Sequence, residues 1–492
     1  MPSLKRRLEE NLDILKKELG YDVSFDVILR QLRVGDKDVA LLFIDGLVSD
    51  QALQGVLRVL FLTEPEDLAV DPLKKMLRER VAYGETLEAG TFEEVVRWVL
   101  AGPVAMLIEG EDRAIIIDLR EYPARSPDEP DLERVLRGAR DGLVETVIFN
   151  IALIRRRLRD PRLRVEMLTV GRRSRTDVAV LYLQDVANPD LVETVKREIN
   201  RIDVDGIPMA EKSIEEFLTS SKPWWNPLPV VRYTERPDVA AVHLLEGHVV
   251  VLVDTSPSAM ILPATLFHHL QHAEEYRQEV SVGAYLRWVR LAGIALSWLL
   301  PPIWVLVVLE PGLLPPGLRF IGPQNLGQVP IFLQFLFAEV GIDLIRMALV
   351  HTPSALATSL GFIGAILLGE IAVNVGLFAS ETILYVIIAA LGTFATPSME
   401  LGLAVRLFRL ALLLLVGLFR LPGLILGLAL NLVLLVYTRS FGVSYLWPLL
   451  PLDAGALKDV LFRRPLPSKR WRPAMLKPLD RKRRPGRGRG RV

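Results

Sequence analysis

The chain has 492 residues, a formal net charge of +1 and no cysteine. The lack of thiols excludes disulfides, thiolate catalysis, Fe–S clusters and cysteine-type zinc sites, and the length predicts two to four domains. The small net charge hides an asymmetry, because charged residues crowd 1–237 and 463–491 and are sparse between 291 and 438. We therefore expect soluble segments towards both ends and an apolar block between them.

Residues 1–260 show the alternating strand and helix patterns of an α/β region with two lobes, a first lobe at 1–120 and a second at 132–260. The elements predicted for the first lobe are an amphipathic N-terminal helix, a strand at 37–48, a helix at 50–62 and a strand pair at 103–109 and 113–118. Those predicted for the second are a helix at 132–158, strands at 163–169 and 177–183, a helix at 189–201, and a hairpin of 238–244 with 248–253. A linker rich in proline and charge is predicted at 121–131.

Neither lobe carries a phosphate-binding motif, because the sequence has no GxxxxGK[ST] and no GxGxxG after a strand. We therefore interpret both lobes as small binding or assembly modules. The charged N-terminus lacks the apolar stretch of a signal peptide, so this region is expected in the cytoplasm.

Residues 261–288 are predicted to form an amphipathic helix at the membrane interface. His268 and His272 stand four residues apart, which places them on one face of such a helix, with Glu275 one turn further on. Two imidazoles and a carboxylate can hold a metal ion. The HExxH order is missing, however, and no fourth ligand is evident. We therefore predict a polar surface helix and no metal site.

Residues 289–438 are predicted to be a polytopic α-helical membrane domain of five or six segments. Uncharged runs of membrane-spanning length include 291–309, 352–369 and 382–399. Pro301-Pro302 is expected to kink or break the first run. The stretch 410–437 is interrupted by Arg420 and Pro422-Gly423, so it fits either two short helices or one span with a re-entrant piece.

Residues 439–492 form a basic tail that is predicted to be disordered. The positive-inside rule places this tail in the cytoplasm, and an N-terminal region on the same side requires an even number of crossings. Anionic lipid is its expected partner, since each base near such a surface gains roughly 1 kcal/mol. Alternatively, the tail is only a topology signal. No nucleic acid is expected.

Glu339, Asp343 and Arg346 stand at i, i+4 and i+7 in an apolar segment and therefore share one helix face. Ionisable side chains at membrane depth are costly and face a bundle interior or a water-filled cavity. Three interpretations stay open, namely the lining of a pore or gate, an internal ion-pair network, and a helix lying flat in the interface.

Glu370, Asn374 and Glu381 form a second polar stripe, because eleven residues are close to three helical turns. If the helix is continuous and the subunits form a ring, these side chains make rings of negative charge that favour cations. In the alternative interpretation, Glu381 marks a break between two spans and lies among the headgroups.

Several stretches, in their order and spacing, resemble the A subunits of GerA-type spore germinant receptors. They are NIALIRRRLRDPRLR at Asn150–Arg164, TERPD at Thr234–Asp238, LEGHVVVLVD at Leu245–Asp254 and EVGIDLIRMALVHTP at Glu339–Pro353. The N-terminal half is most similar to the SpoVAF branch of this family. The matching stretches are SFDVILR at Ser24–Arg30, KDVALLFIDG at Lys37–Gly46 and YPARSPDEPDLERVLRGARDG at Tyr122–Gly142.

This resemblance implies a spore germination protein of the spore inner membrane that is a subunit of an oligomeric ion channel or germinant-receptor-type complex. It implies a homo-oligomer, with other germination membrane subunits as further partners. The residue patterns keep two other classes open, a non-conducting receptor or scaffold and a secondary transporter. We expect neither an enzyme nor a cofactor, because the sequence shows no nucleophile–base set and no phosphate loop.

Overall fold

The computed structural model divides the chain into two compact units. The N-terminal unit comprises Met1–Ser221, Val231–Pro263 and Leu466–Val492, and the helical unit comprises Lys222–Val230 and Ala264–Pro465. The structure describes residues 2–68, 71–77, 85–122, 133, 135, 138–351, 361, 364 and 366–483. The predicted linker at 121–131 and the predicted run at 352–369 therefore fall largely outside the described residues.

The first lobe is an antiparallel five-stranded sheet with the strand order β1-β2-β4-β5-β3. Its strands are β1 (Val27–Val34), β2 (Lys37–Ile44), β3 (Thr86–Ala89), β4 (Val104–Ile108) and β5 (Ala114–Ile117). Its helices are α1 (Leu8–Leu19), α2 (Asp50–Phe61), α3 (Pro65–Leu68), α4 (Pro72–Lys75) and α5 (Phe92–Ala101). Successive residues of β2 enter two different apolar clusters, so both faces of the sheet are covered. The three predicted strands and the two predicted helices of this lobe are confirmed.

The second lobe is also an antiparallel five-stranded sheet, with the order β6-β7-β9-β10-β8. Its strands are β6 (Leu163–Val170), β7 (Thr176–Leu183), β8 (Arg232–Thr234), β9 (Val249–Val253) and β10 (Ala259–Leu262). Its helices are α6 (Val147–Arg157), α7 (Pro189–Asn200), α8 (Ala210–Leu218) and α9 (Pro237–Glu246). The predicted strand pair at 163–169 and 177–183 and the helix at 189–201 are confirmed.

Two predictions for this lobe are wrong. Residues 238–244 are not a strand but lie within α9, whose first position is Pro237 and whose C-cap is Gly247 at φ 102°; proline at the start and a left-handed glycine at the end are helix boundaries. Strand β9 therefore pairs with β10 instead of with residues 238–244. The helix predicted from residue 132 begins only at Val147.

The two lobes share one topology, because the strand order of the second lobe repeats that of the first. The repeat extends to the helix starts. The Asn11 side chain exchanges two hydrogen bonds with the backbone of Lys5, at 2.9 and 2.6 Å, and the Asn150 side chain does the same with Val144, at 2.7 and 2.5 Å. The N-terminal unit is therefore an internal duplication.

A buried ion pair joins the two lobes. The Arg155 guanidinium donates from Nε and Nη2 to the two carboxylate oxygens of Asp26, both at 2.8 Å. The Phe25 amide also donates to the Val165 carbonyl, at 2.8 Å. A bidentate pair out of contact with water has fixed geometry, so it holds β1 at a defined position relative to α6.

The helical unit contains two helices long and apolar enough to cross a membrane, Val280–Leu309 and Met399–Tyr437, among the described residues. Its α-helices are α10 (Leu266–Leu270), α11 (Ala273–Arg277), α12 (Val280–Leu309), α13 (Ile331–His351), α14 (Ala372–Asn374), α15 (Ser380–Phe394), α16 (Met399–Tyr437) and α17 (Ala454–Phe462). A π-helical segment, Ile366–Ile371, precedes α14 directly. Full multi-pass topology stays a prediction.

Helix α16 reverses direction at Arg420, whose φ of 52° and ψ of −131° are not helical. A side chain at Gly427 would meet Leu412 at 2.5 Å, although fifteen residues of straight helix span about 22 Å. The two arms, 399–419 and 421–437, therefore pack against each other as a hairpin. Of the two predicted alternatives for 410–437, the structure favours two antiparallel helices.

The basic tail is ordered as far as residue 483 and includes helix α17, which corrects the prediction of disorder for 439–483. The Leu479 amide donates to the Val186 carbonyl at 3.0 Å, and the Asp480 amide donates to the Asp185 carbonyl at 3.2 Å. Arg483 forms an ion pair with Glu246 at 3.0 Å. Backbone pairing and a buried Leu476 outweigh the high charge of this segment. Residues 484–492 lie outside the described residues.

Replacing Arg155 with Met should destabilise the lobe junction by about 3–5 kcal/mol, because the Asp26 carboxylate stays buried without its partner. Arg162→Met is the matched control, since its half-exposed pairs with Asp160 and Asp185 are worth under about 1 kcal/mol. Hydrogen exchange of peptides from β1 and α6 measures the local opening. Equal protection in the two variants would contradict the conclusion that the Arg155–Asp26 pair holds the two lobes together.

Candidate functional site

The candidate site is a group of four charged side chains inside the apolar helices, Glu339 and Asp343 on α13 with Arg406 and Arg409 on the first arm of α16. We call it the ionic cluster. Glu339 is 1% exposed, and so is Arg409. The Glu339 carboxylate contacts Arg409 Nε at 2.8 Å and Arg406 Nη2 at 3.0 Å. Arg406 Nη1 also pairs with Asp343, at 2.6 Å. Two acids and two bases balance, so the cluster carries no formal net charge.

Arg409 ties four helices together. Besides Glu339, its Nη1 donates to the Ser297 carbonyl at 2.7 Å and to the Ser297 hydroxyl at 2.6 Å. It also donates to Thr393 Oγ1 on α15, at 3.4 Å. Helices α12, α13, α15 and α16 thus all contact one guanidinium.

Helix α12 continues through Pro301-Pro302 to Leu309, so of the predicted kink or break the break is wrong, and the bond to Ser297 supports this continuation. In an α-helix the amide of residue 301 would donate to the carbonyl of residue 297, and proline has no amide hydrogen. Arg409 supplies the missing donor to this carbonyl. A carbonyl that a proline frees inside an apolar bundle needs such a partner.

A second polar contact fixes α13 to the start of α15. The Gln334 side chain is fully buried and donates to the Leu326 and Val329 carbonyls, both at 2.7 Å. Its oxygen accepts from the Ala379 amide at 2.8 Å and the Thr382 hydroxyl at 2.9 Å. All the hydrogen-bonding capacity of this amide is therefore used inside the helical unit.

Of the first predicted stripe, the structure brings Glu339 and Asp343 into one cluster. Arg346 is half-buried on the same helix, and within the described part of the chain no carboxylate forms an ion pair with it. Because two arginines enclose the Glu339 carboxylate, this geometry corresponds to the ion-pair interpretation. Lining of a pore or gate stays a prediction.

The second predicted stripe is not continuous, which corrects the alignment of Glu370 and Asn374 with Glu381. The helix ends at Asn374, and the chain turns at Gly376, where φ is 77°. Glu381 lies in the first turn of α15, and its carboxylate accepts from the Gln324 amide at 3.1 Å. Glu370 and Asn374 are both exposed. The structure thus favours the alternative in which Glu381 marks a break.

The predicted sharing of one helix face by His268 and His272 is also wrong. Helix α10 ends at Leu270, and His272 is the N-cap of α11, where its Nδ1 accepts from the Glu274 amide at 3.2 Å. The Glu275 carboxylate pairs with Arg287 at 2.6 Å and also with Arg290. Residues 261–288 therefore do not form the single interfacial helix that was predicted, and the carboxylate is held by two bases.

Arg406 and Arg409, the partners of the predicted acids, were not among the predicted site residues. They stand three residues apart on an apolar helix, which puts both on one face. A pair of bases on one apolar helix and a pair of acids on another are complementary, and this complementarity was the available signal.

A family model described as the Bacillus/Clostridium GerA spore germination protein matches residues 13–475. The chain belongs to the GerA family of spore germination proteins. Stage V sporulation protein AF of Bacillus subtilis is 48% identical over 98% of this chain and 97% of its own length. Spore germination protein KA of the same organism is 28% identical over 98% of this chain and 88% of its own length. The resemblance to the GerA family and to its SpoVAF branch is confirmed.

Two further similarities are to a second germination protein and to a solved receptor domain. Spore germination protein B1 of Bacillus subtilis is 29% identical over 96% of this chain and 98% of its own length. The crystal structure of the N-terminal domain of the A subunit of the Bacillus megaterium spore germinant receptor GerK3 is 25% identical. It covers 54% of this chain and 98% of the solved one, with a TM-score of 0.41.

Replacing Glu339 with Gln should lower the free energy of unfolding by about 3–5 kcal/mol, because it leaves two buried arginines with too few carboxylates. Glu370→Gln is the matched control. Its side chain is exposed, so the cost should stay within about 0.5 kcal/mol. Unfolding of the purified proteins in one detergent measures both effects. A Glu339→Gln variant as stable as Glu370→Gln would contradict the pairing.

Proposed function

We propose that this GerA-family chain is a subunit of an oligomeric ion channel in the spore inner membrane. Its N-terminal region and its tail lie in the cytoplasm. The observation that carries the proposal is the ionic cluster, since four charges inside apolar helices are expensive in a membrane and are kept where they serve a path for ions or protons. Family membership and the 48% identical sporulation protein support the role in germination.

In this proposal the ionic cluster holds the closed state. Its charges balance and its Glu339 carboxylate is enclosed, so the closed bundle needs no counterion. Opening separates α13 from the first arm of α16 and exposes the buried charges of Glu339, Arg406 and Arg409 to water in the path. A ligand or partner that binds the N-terminal unit would shift the population between these two states.

The proposed ion path runs past Glu370 and Asn374. Both side chains are exposed in the single chain, and Glu370 lies in the π-helical segment, a distortion that is frequent at functional sites. In a homo-oligomer, copies of this surface would form a ring of carboxylates, which favours cations over anions. Other germination membrane subunits are further proposed partners, and anionic lipid is the proposed partner of the basic tail.

A secondary transporter is the second candidate, because the reversal of α16 at Arg420 interrupts an apolar helix, as at the substrate sites of many transporters. A non-conducting receptor or scaffold is the third. Conductance separates the classes, since a channel gives single-channel steps and the other two do not.

Ion flux from liposomes that hold the purified full chain tests the proposal. We expect a cation-selective flux in the wild type and a smaller cation preference in Glu370→Gln, because each subunit loses one ring charge. Glu339→Gln should raise the resting flux, because it weakens the contact that keeps the bundle closed.

Glu216→Gln is the control for this experiment, since Glu216 is an exposed residue of α8 in the N-terminal unit and should leave flux unchanged. If flux and selectivity are unchanged in both Glu370→Gln and Glu339→Gln, the assignment of the path is wrong. If the wild type shows no steps at all, the channel itself is wrong.

A further inference from the structure

Two adjacent tryptophans stand out on the surface of the helical unit. Trp224 is 95% exposed and Trp225 is 59% exposed. An indole has one of the largest apolar surfaces of any side chain, so leaving it exposed to water loses a large favourable burial. Two in succession, flanked by Pro223 and Pro227, indicate a surface that another apolar medium covers.

The segment that carries these tryptophans, 222–230, is firmly held within the helical unit. The Asn226 side chain donates to Thr438 Oγ1 at 2.9 Å, and its oxygen accepts from the Leu228 amide at 3.0 Å. Lys222 Nζ donates to the Leu228 carbonyl at 2.8 Å. The exposure of the indoles therefore belongs to a defined loop conformation.

The packing of this segment shows at which level along the helices it lies. Leu228 and Val230 are buried against Ala404 and Phe408 of the first arm of α16, with Leu434 of the second arm in the same cluster. Ala404 follows the start of α16 by five residues, or about 7 Å of helix. The buried residues thus lie roughly one to two turns inside the helix ends, and the tryptophans lie beside those ends.

The neighbouring surface has the same chemistry. Tyr437, the last residue of α16, is 79% exposed and directly precedes Thr438, the partner of Asn226. Arg439 follows and is also exposed. Tryptophan and tyrosine at the end of an apolar helix, with bases next to them, are the composition of the boundary between acyl chains and headgroups.

We propose that Trp224, Trp225 and Tyr437 form an interfacial anchor that inserts into the headgroup–acyl boundary of a lipid bilayer. Lipid is favoured over a second copy of this chain because exposed apolar side chains of the second arm, Leu430 and Val433, share the helix face of Tyr437. The anchor would fix the depth of the α16 hairpin in the bilayer. This inference rests on the proposed membrane placement but not on ion conduction.

Depth measurement by spin labelling tests the anchor, and the absence of cysteine means that one introduced cysteine gives one labelled site. Three full-length variants are compared, Trp224→Cys, Leu430→Cys and Trp471→Cys. Each carries a nitroxide and is reconstituted into vesicles of phosphatidylcholine and phosphatidylglycerol. Accessibility to oxygen reports lipid, and accessibility to a water-soluble nickel chelate reports water.

The label at position 430 should be accessible to oxygen and not to nickel, as expected deep in lipid. The label at position 471, where Trp471 of the tail is exposed, should be accessible to nickel, as expected in water. We expect the label at 224 to read the headgroup boundary, with nickel accessibility several-fold below that at 471. Adding Trp225→Ser to the Trp224→Cys variant should raise its nickel accessibility, because the second indole of the pair is then gone as well.

Three results separate the possible failures. If the label at 224 is as accessible to nickel as that at 471 while 430 reads lipid, the anchor is wrong and the membrane placement stands. If both reagents are excluded at 224, a protein surface covers the tryptophans and the lipid assignment is overturned. If 430 also reads water, the membrane placement itself fails, and with it the proposed function.

Discussion

The packing of the helical unit depends on the guanidinium group of Arg409. Arg409 neutralises the buried Glu339, contacts Thr393, and donates to the Ser297 carbonyl that Pro301 leaves without a partner. Each of these groups would be costly if it were unpaired in an apolar medium, and Arg409 contacts all of them, while Arg406 shares the Glu339 carboxylate. The proline in α12, the acid on α13 and the base on α16 are therefore parts of one arrangement. Loss of the acid or of the base leaves buried polar groups on the neighbouring helices with too few partners.

Half of this cluster was predictable from sequence. Charges within an apolar run indicate a buried polar face, and the i, i+4 spacing of Glu339 and Asp343 correctly put them together. Their partners were missed because Arg406 and Arg409 lie more than sixty residues away in sequence, and helical periodicity says nothing about which helix packs on which. The stripe from Glu370 to Glu381 failed for a local reason, because the chain turns at Gly376. Periodicity extrapolated across a break gives a false alignment.

In the N-terminal unit, the ends of the strongly apolar strands were predicted to within a few residues. Both faces of these sheets are buried, so the strands appear in the sequence as continuous apolar runs. The error at 238–244 arose because an apolar segment before a glycine fits a strand as well as a buried helix, and Pro237 was the decisive residue. The duplication was also present in the sequence, in DVALLFI at 38–44 and DVAVLYL at 177–183, but two short similar strands do not reveal a shared strand order. The order of the tail comes from pairing with Val186 and Glu246, which composition does not show.

The central claim is that Glu339 and Arg409 stabilise the bundle as a pair. A double-mutant cycle with Glu339→Gln, Arg409→Gln and the double variant tests it most directly, through the free energies of unfolding measured in one detergent. The account predicts that the double variant is more stable than the sum of the single changes implies, with a coupling energy of about 1–3 kcal/mol. Additivity within about 0.5 kcal/mol would mean that the two side chains act independently, and would contradict the account.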